Sequence, residues 1–327
     1  MPDEAAIDRV PAVEKPEAIT DLIEIAGTLE PSTVVVIGGD RIEDLQLVES
    51  ARDHGIVDRI ILVGQSGSIA ESLEASGLEI DSDDMIPADS PEDVAQIAVD
   101  LIKDGRVDIA LKGNISTPII NRRILPLARR RTVSLATVFD AAPISGGRPM
   151  VMTDAGVTVD CTPDRMVDLV NNSAEVARVI LQIARPRVAI LSANEKQIPS
   201  LRSTGMAAAL TRMEFEDTIV YGPLSFDLAT DPVSASLKGV ESMPGASDVA
   251  GKADVLVCPG IDSANILYKS ISAMNKYGLA SLASITVGFP IPYIILSRAD
   301  SVETRLVSIA MSSIYAQRVN QSPGAQE

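Results

Sequence analysis

Short β-branched runs recur along this chain, at intervals too long for hairpins and long enough for helices. Residues 34–37, 60–63, 108–111, 188–191, 218–221, 254–257, 283–287 and 293–296 each read as a strand. Amphipathic or helix-forming patterns fill 42–53, 66–76 and 91–104 between the first of them. Strands separated by helices require right-handed crossovers and hence a mostly parallel sheet. Ligands of such sheets collect at the carboxyl ends of the strands. The segment 139–150, FDAAPISGGRPM, interrupts the alternation with two prolines and a Gly-Gly pair and reads as a crossing between domains. A return crossing is expected near 280–287. The expectation is an α/β protein of two α/β domains with mostly parallel sheets. Residues 1–142 plus 285–327 form a discontinuous first domain, and 143–284 form the second. The polar tail from 320 reads as frayed.

Composition narrows the chemistry. The chain has 327 residues, 46% hydrophobic, enough for sizeable cores. Its formal net charge of −17 argues against nucleic acid or an anionic membrane as partner. Any phosphorylated ligand therefore needs a local basic pocket. No window nears the roughly 18 apolar residues of a membrane span, and the acidic start has no signal-peptide pattern. Cys161 and Cys258 lie far apart without a CxxC, which points to a reduced cytoplasmic setting. His54 is the single histidine and reads as a helix end before a glycine cap, so Ser-His-Asp, Cys-His and His-rich zinc chemistry are excluded. The acidic cluster at 81–85 lacks EF-hand spacing and reads as a solvated loop, so no metal site is expected. Neither Gly38-Gly39 nor GQSGS at 64–68 makes the dinucleotide fingerprint.

The basic residues are unevenly spread. LKGNISTPIINRRILPLARRRT, 111–132, gathers Lys112, Arg122, Arg123, Arg129, Arg130 and Arg131. Lys112-Gly113 follows a strand directly, and Ser116-Thr117-Pro118 opens a helix. Glycine lets backbone approach an anion, while lysine and the helix amino terminus supply positive potential. The 129–131 run reads equally as a solvated helix face. In PGIDSANILYKS, 259–270, a helix starts near Ser263 and places Asn265 and Lys269 on one face. In LSRADS, 296–301, a strand ends by presenting Ser297, Arg298 and Asp300. That stretch is either a solvated helix cap or the anion-binding edge of a site.

Seven segments in order resemble the phosphate acetyl/butyryltransferase family, its butyryl branch more than its acetyl branch. They are ILVG at 61–64, LKGNIST at 111–117, MTDAGV at 152–157, VAILSANEK at 188–196, YGPLSFDLA at 221–229, VAGKADVLVCPGIDSANILYK at 249–269 and ILSRADSVETRLVSIA at 295–310. The resemblance implies reversible acyl transfer between phosphate and coenzyme A, in a cleft between two α/β domains. It implies that Ser297 and Arg298 hold the phosphoryl group. Lys112, Gly113, Thr117, Arg123, Asn265 and Lys269 would then bind substrate. Acyl-CoA, acyl phosphate and phosphate are the implied partners, with coenzyme A a substrate, no tightly bound cofactor, and a homodimer as the assembly. Three positions depart from the family: Thr304 stands where the acetyl branch has an aspartate base, Leu135 where a histidine is common, and Ala264 where glycine is usual. Asp300 would replace the missing base. A non-catalytic acyl-CoA-binding or partner-binding paralogue is the rival reading.

Overall fold

The computed structural model describes residues 15–296 and 300–320. After α1 (Asp21–Gly27), strands and helices alternate as β1 (Ser32–Ile37), α2 (Ile42–Asp53), β2 (Val57–Gly64), α3 (Ser66–Ser76), β3 (Met85–Pro87), α4 (Pro91–Lys103), β4 (Ile109–Lys112) and α5 (Thr117–Ile124). Next come β5 (Ser134–Ala141), β6 (Met150–Thr153), α6 (Pro163–Leu181), β7 (Arg187–Leu191), α7 (Arg202–Thr211) and β8 (Ile219–Leu224). The chain closes with α8 (Phe226–Thr230), α9 (Pro232–Leu237), β9 (Val255–Val257), α10 (Ile261–Asn275), β10 (Ala280–Val287), β11 (Tyr293–Ile294) and α11 (Val302–Asn320).

Local rules account for these elements. Ser90 caps α4 by accepting from Asp93 N at 3.2 Å, and Pro91 occupies the first turn, where its missing N–H costs nothing. Val94, Ala98, Val99, Leu101 and Ile102 then recur at helical spacing on the buried face. Every residue of β1 except Thr33 is buried, as a strand covered on both faces must be. Val35 and Ile37 pack toward α4 and α5, while Val34 and Val36 face the larger core that runs through the rest of the chain.

The strands form one sheet, in the order β3-β2-β1-β4-β11-β10-β5-β6-β9-β7-β8. The block β3 to β11 is parallel, and so is β6 to β8. The pairings β11–β10, β10–β5 and β5–β6 are antiparallel. Three reversals leave the two blocks running in opposite directions. The carboxyl ends of β1, β4 and β11 therefore share a sheet edge with the amino ends of β6, β9 and β7.

The α/β class with mostly parallel strands holds, in one continuous sheet where two were expected. Within 139–150, Phe139 to Ala141 complete β5, and the Pro/Gly residues turn the chain back into antiparallel β6. The expected return near 280–287 is a long strand, β10, paired with β5 over its whole length. We keep the division at 1–142 plus 285–327 and 143–284 as a proposal; its boundaries fall between β5 and β6 and within β10, and hydrogen exchange should resolve two protection units.

Beyond the Thr286–Tyr293 pair, β10 continues where β11 stops. There the Ser284 N–H donates to Ser308 Oγ of α11 at 3.1 Å. The amino end of α11 is thus wedged between the end of β4 and the free edge of β10.

Candidate active site

The ends of β1 and β4 lie level, with Ile37 opposite Lys112. The turns that follow press on each other. A Cβ on Gly113 would lie 2.4 Å from Gly38 O, and one on Gly38 would lie 2.7 Å from the Asn114 backbone. Gly38 also has φ +82°, which favours glycine. Both glycines answer a close backbone approach, so no nucleotide is needed to explain them.

A cavity of about 400 Å³ opens above this crossing, lined by Arg41, Asp44, Lys112, Asn114 and Arg305 among others. Asp44 is 2% exposed. Its Oδ1 accepts from Arg305 Nη2 at 2.5 Å, and its Oδ2 lies 3.5 Å from Arg41 Nη1 without a hydrogen-bond partner. Arg305 Nε is likewise buried and unpartnered. Burial pushes the Asp44 carboxyl above its usual range, more than Arg41 and Arg305 pull it down. Arg41 Nη2 donates to Asn114 Oδ1 at 3.3 Å and to Gly113 O at 3.5 Å. Lys112 Nζ reaches Gly113 O at 3.4 Å.

Of the residues the sequence singled out, Lys112 lines the cavity and Gly113 backs it. Ser297 and Arg298 lie outside the described residues. Asp300 accepts from Tyr268 Oη at 3.4 Å. Burial first, and Asp300 second, push the Tyr268 hydroxyl far above its usual range. Lys269 Nζ sits 5.0 Å from the Tyr268 ring centroid, so Lys269, Tyr268 and Asp300 form a chain from α10 to the start of α11. Asn265 goes elsewhere: its Nδ2 donates to Ala155 O at 3.0 Å. That bond docks the 154–158 loop, which is wound about the buried Asp154 carboxylate by the N–H groups of Gly156, Val157 and Thr158. Thr117 is the half-buried first residue of α5, and Arg123 is exposed in its last turn; neither lines the cavity. α10 begins at Ile261, two residues before the expected start.

Thr304 explains part of the departure from the acetyl pattern. It is buried, its N–H donates to Ser301 Oγ at 3.1 Å, and Ser301 Oγ donates to Thr304 Oγ1 at 2.9 Å. The hydroxyl is folded into the cap of α11. The basic run splits too. Arg131 Nε donates to Asp168 at 2.8 Å, and Arg130 bonds Asn172 at 2.7 Å and pairs with Glu175, all on α6. Two of its three arginines staple the run to α6, Arg130 half-buried and Arg131 on an exposed face. Arg41, Asp44, Asn114 and Arg305 were missed. A search at every strand's carboxyl end, instead of for a glycine fingerprint, would have reached Arg41.

The sequence profile described as phosphate acetyl/butaryl transferase matches residues 88–313, from before β4 into α11. The chain belongs to this family. It is 31% identical over 305 residues to a probable phosphate butyryltransferase of Bacillus subtilis, covering 90% of this chain and 96% of that one. It is 33% identical to a phosphate acetyltransferase of Thermotoga maritima, over 69% and 76%. Among solved structures it is similar to a branched-chain phosphotransacylase of Enterococcus faecalis, with TM-score 0.71, 28% identity, and 88% and 99% coverage. As a member of the phosphate acetyl/butyryltransferase family the chain is an acyltransferase. Among the described residues no helix is long and apolar enough to cross a membrane.

Proposed function

We propose that this acyltransferase moves a short acyl group, butyryl or branched in preference to acetyl, between coenzyme A and inorganic phosphate. One observation carries the reading: Lys112, Arg41 and Arg305 converge on a cavity at strand carboxyl ends, in a chain of net charge −17. That is the local basic pocket a phosphoryl substrate needs.

A coenzyme A thiol ionises near the cysteine value of about 8.5, so it needs a base. In our reading Asp300 takes the thiol proton. The thiolate attacks the acyl carbonyl carbon, the C–S bond forms, and the C–O bond to phosphate breaks with its electron pair leaving on phosphate. The planar fork of Arg298 clamps that phosphate, with Lys112 adding charge. Ser297 hydrogen-bonds the carbonyl oxygen. Gly113 backs the anion site and lets the two turns meet, and Thr117, Arg123, Asn265 and Lys269 contact coenzyme A. No covalent enzyme intermediate or tightly bound cofactor enters, and most of the rate comes from positioning and charge. A cytoplasmic homodimer is the setting we propose for it.

The test is butyryl-CoA formation from butyryl phosphate and coenzyme A. Arg298→Ala should cut turnover by about 10²–10³ with the fold intact, and Arg298→Lys should rescue little. Near-wild-type turnover in folded Arg298→Ala rejects the clamp. No transfer by wild type favours the non-catalytic paralogue.

A further inference from the structure

Arg41 lies outside residues 88–313, the stretch matched to the family. It stands between the Gly38-Gly39 turn and α2, where its side chain makes no capping bond, so the helix does not require it. Its contacts are all long: 3.5 Å to Asp44 Oδ2, 3.3 Å to Asn114 Oδ1 and 3.5 Å to Gly113 O. Hydrogen bonds between ionised partners settle near 2.7–2.9 Å. The guanidinium is parked beside these groups, not bonded tightly to any of them.

Asp44 points the same way. Arg305 holds one of its oxygens at 2.5 Å, and the other is buried without a hydrogen-bond partner, in a residue that lines the cavity together with Arg41. That carboxylate anchors Arg305 and restrains Arg41 only loosely. Glu43, the other carboxylate of the lining, is exposed and competes weakly. A small dianion in this cavity would meet Lys112 from β4 and Arg41 from the β1 turn. An arginine presents two N–H groups to such a dianion in a matching plane.

We infer that Arg41 binds the phosphoryl group of the substrate, inorganic phosphate in one direction and acyl phosphate in the other, by giving up its weak contacts with Asp44, Asn114 and Gly113. The inference rests on the acyl-transfer reading. Coenzyme A also carries phosphates, and the kinetics separate the two sources.

Thiol release from butyryl-CoA is measured against phosphate and against butyryl-CoA for wild type, Arg41→Gln and Arg41→Lys, with melting temperatures as fold control. The phosphate KM should rise about tenfold to a hundredfold in Arg41→Gln, as loss of charge-assisted hydrogen bonds implies. The KM for butyryl-CoA should stay within about twofold, and Arg41→Lys should recover only part of the loss. Separately, inorganic phosphate alone should raise the melting temperature of wild type and do so far less in Arg41→Gln. Failure of the acyl-transfer reading would appear as an inactive wild type, and the melting shift would still judge Arg41. An unchanged phosphate KM and an unchanged melting shift in folded Arg41→Gln overturn the inference. So does a rise confined to the KM for butyryl-CoA, which would assign Arg41 to coenzyme A.

Discussion

Two places on one sheet edge set a pair of arginines around a buried aspartate, and they behave differently. At the amino ends of β6, β9 and β7, Asp254 is 1% exposed and accepts from Arg148 Nη1, Arg187 Nε and Arg187 Nη2, each at 2.8 Å, and from Arg187 N at 2.9 Å. Both oxygens are satisfied. Beside it lies a hollow of about 330 Å³ with Lys252 and Ser145 in its wall. At the carboxyl ends of β1 and β4, Asp44 has one short bond, and one oxygen lacks a hydrogen-bond partner. Both cavities are lined by three cations. The first cluster staples three strand starts together; the second keeps a guanidinium loosely held over an opening. Uncommitted donors mark a binding site better than a count of basic residues does.

Breaking the staple should have the largest effect. Asp254→Ala leaves two half-buried guanidiniums without their carboxylate and should cost about 3–5 kcal/mol in urea unfolding. A loss below about 1 kcal/mol would mean that the two clusters are alike after all. Gly113→Ala comes next. Its Cβ would sit 2.4 Å from a backbone oxygen that cannot swing away, so about 1–3 kcal/mol should be lost together with activity as Lys112 and Asn114 shift. Wild-type stability and turnover in that variant would show that the two turns can part freely.

The smallest effect is a difference of sign with pH. The Asp44 carboxyl is raised, chiefly by burial, so the folded state holds its proton more tightly than the unfolded chain does. Its contribution is present below the unfolded value of about 3.9 and is lost as pH rises through the folded value. Asp168 is lowered: burial opposes the shift, but hydrogen bonds from Arg131 and Thr132 outweigh it. Its contribution is present above about 3.9 and is lost as pH falls through the folded value. Wild type should therefore gain on Asp44→Asn with acid and lose ground to Asp168→Asn. Urea unfolding at several pH values decides it, and equal slopes would remove the contrast.

Much of the parallel architecture was legible, because buried strands between helices leave continuous β-branched runs. The β5–β6 hairpin was not. A Pro/Gly cluster looks the same in a tight turn and in a domain crossing, and strand direction leaves no mark in composition. Lys112-Gly113 was legible as a strand end followed by a glycine and a helix. The pairing of Asp44 with Arg305 was not, since only the wedging of α11 between β4 and β10 brings those distant segments together. Arg130 and Arg131 misled for a related reason: their partners on α6 cannot be assigned from spacing.

Acyl transfer to phosphate is read out by free thiol. Purified protein is given acetyl-, butyryl- or branched acyl-CoA with and without inorganic phosphate, and coenzyme A release is followed. Release is expected only when phosphate is present, faster from butyryl- or branched acyl-CoA than from acetyl-CoA. Absence of phosphate-dependent release from all three would contradict it.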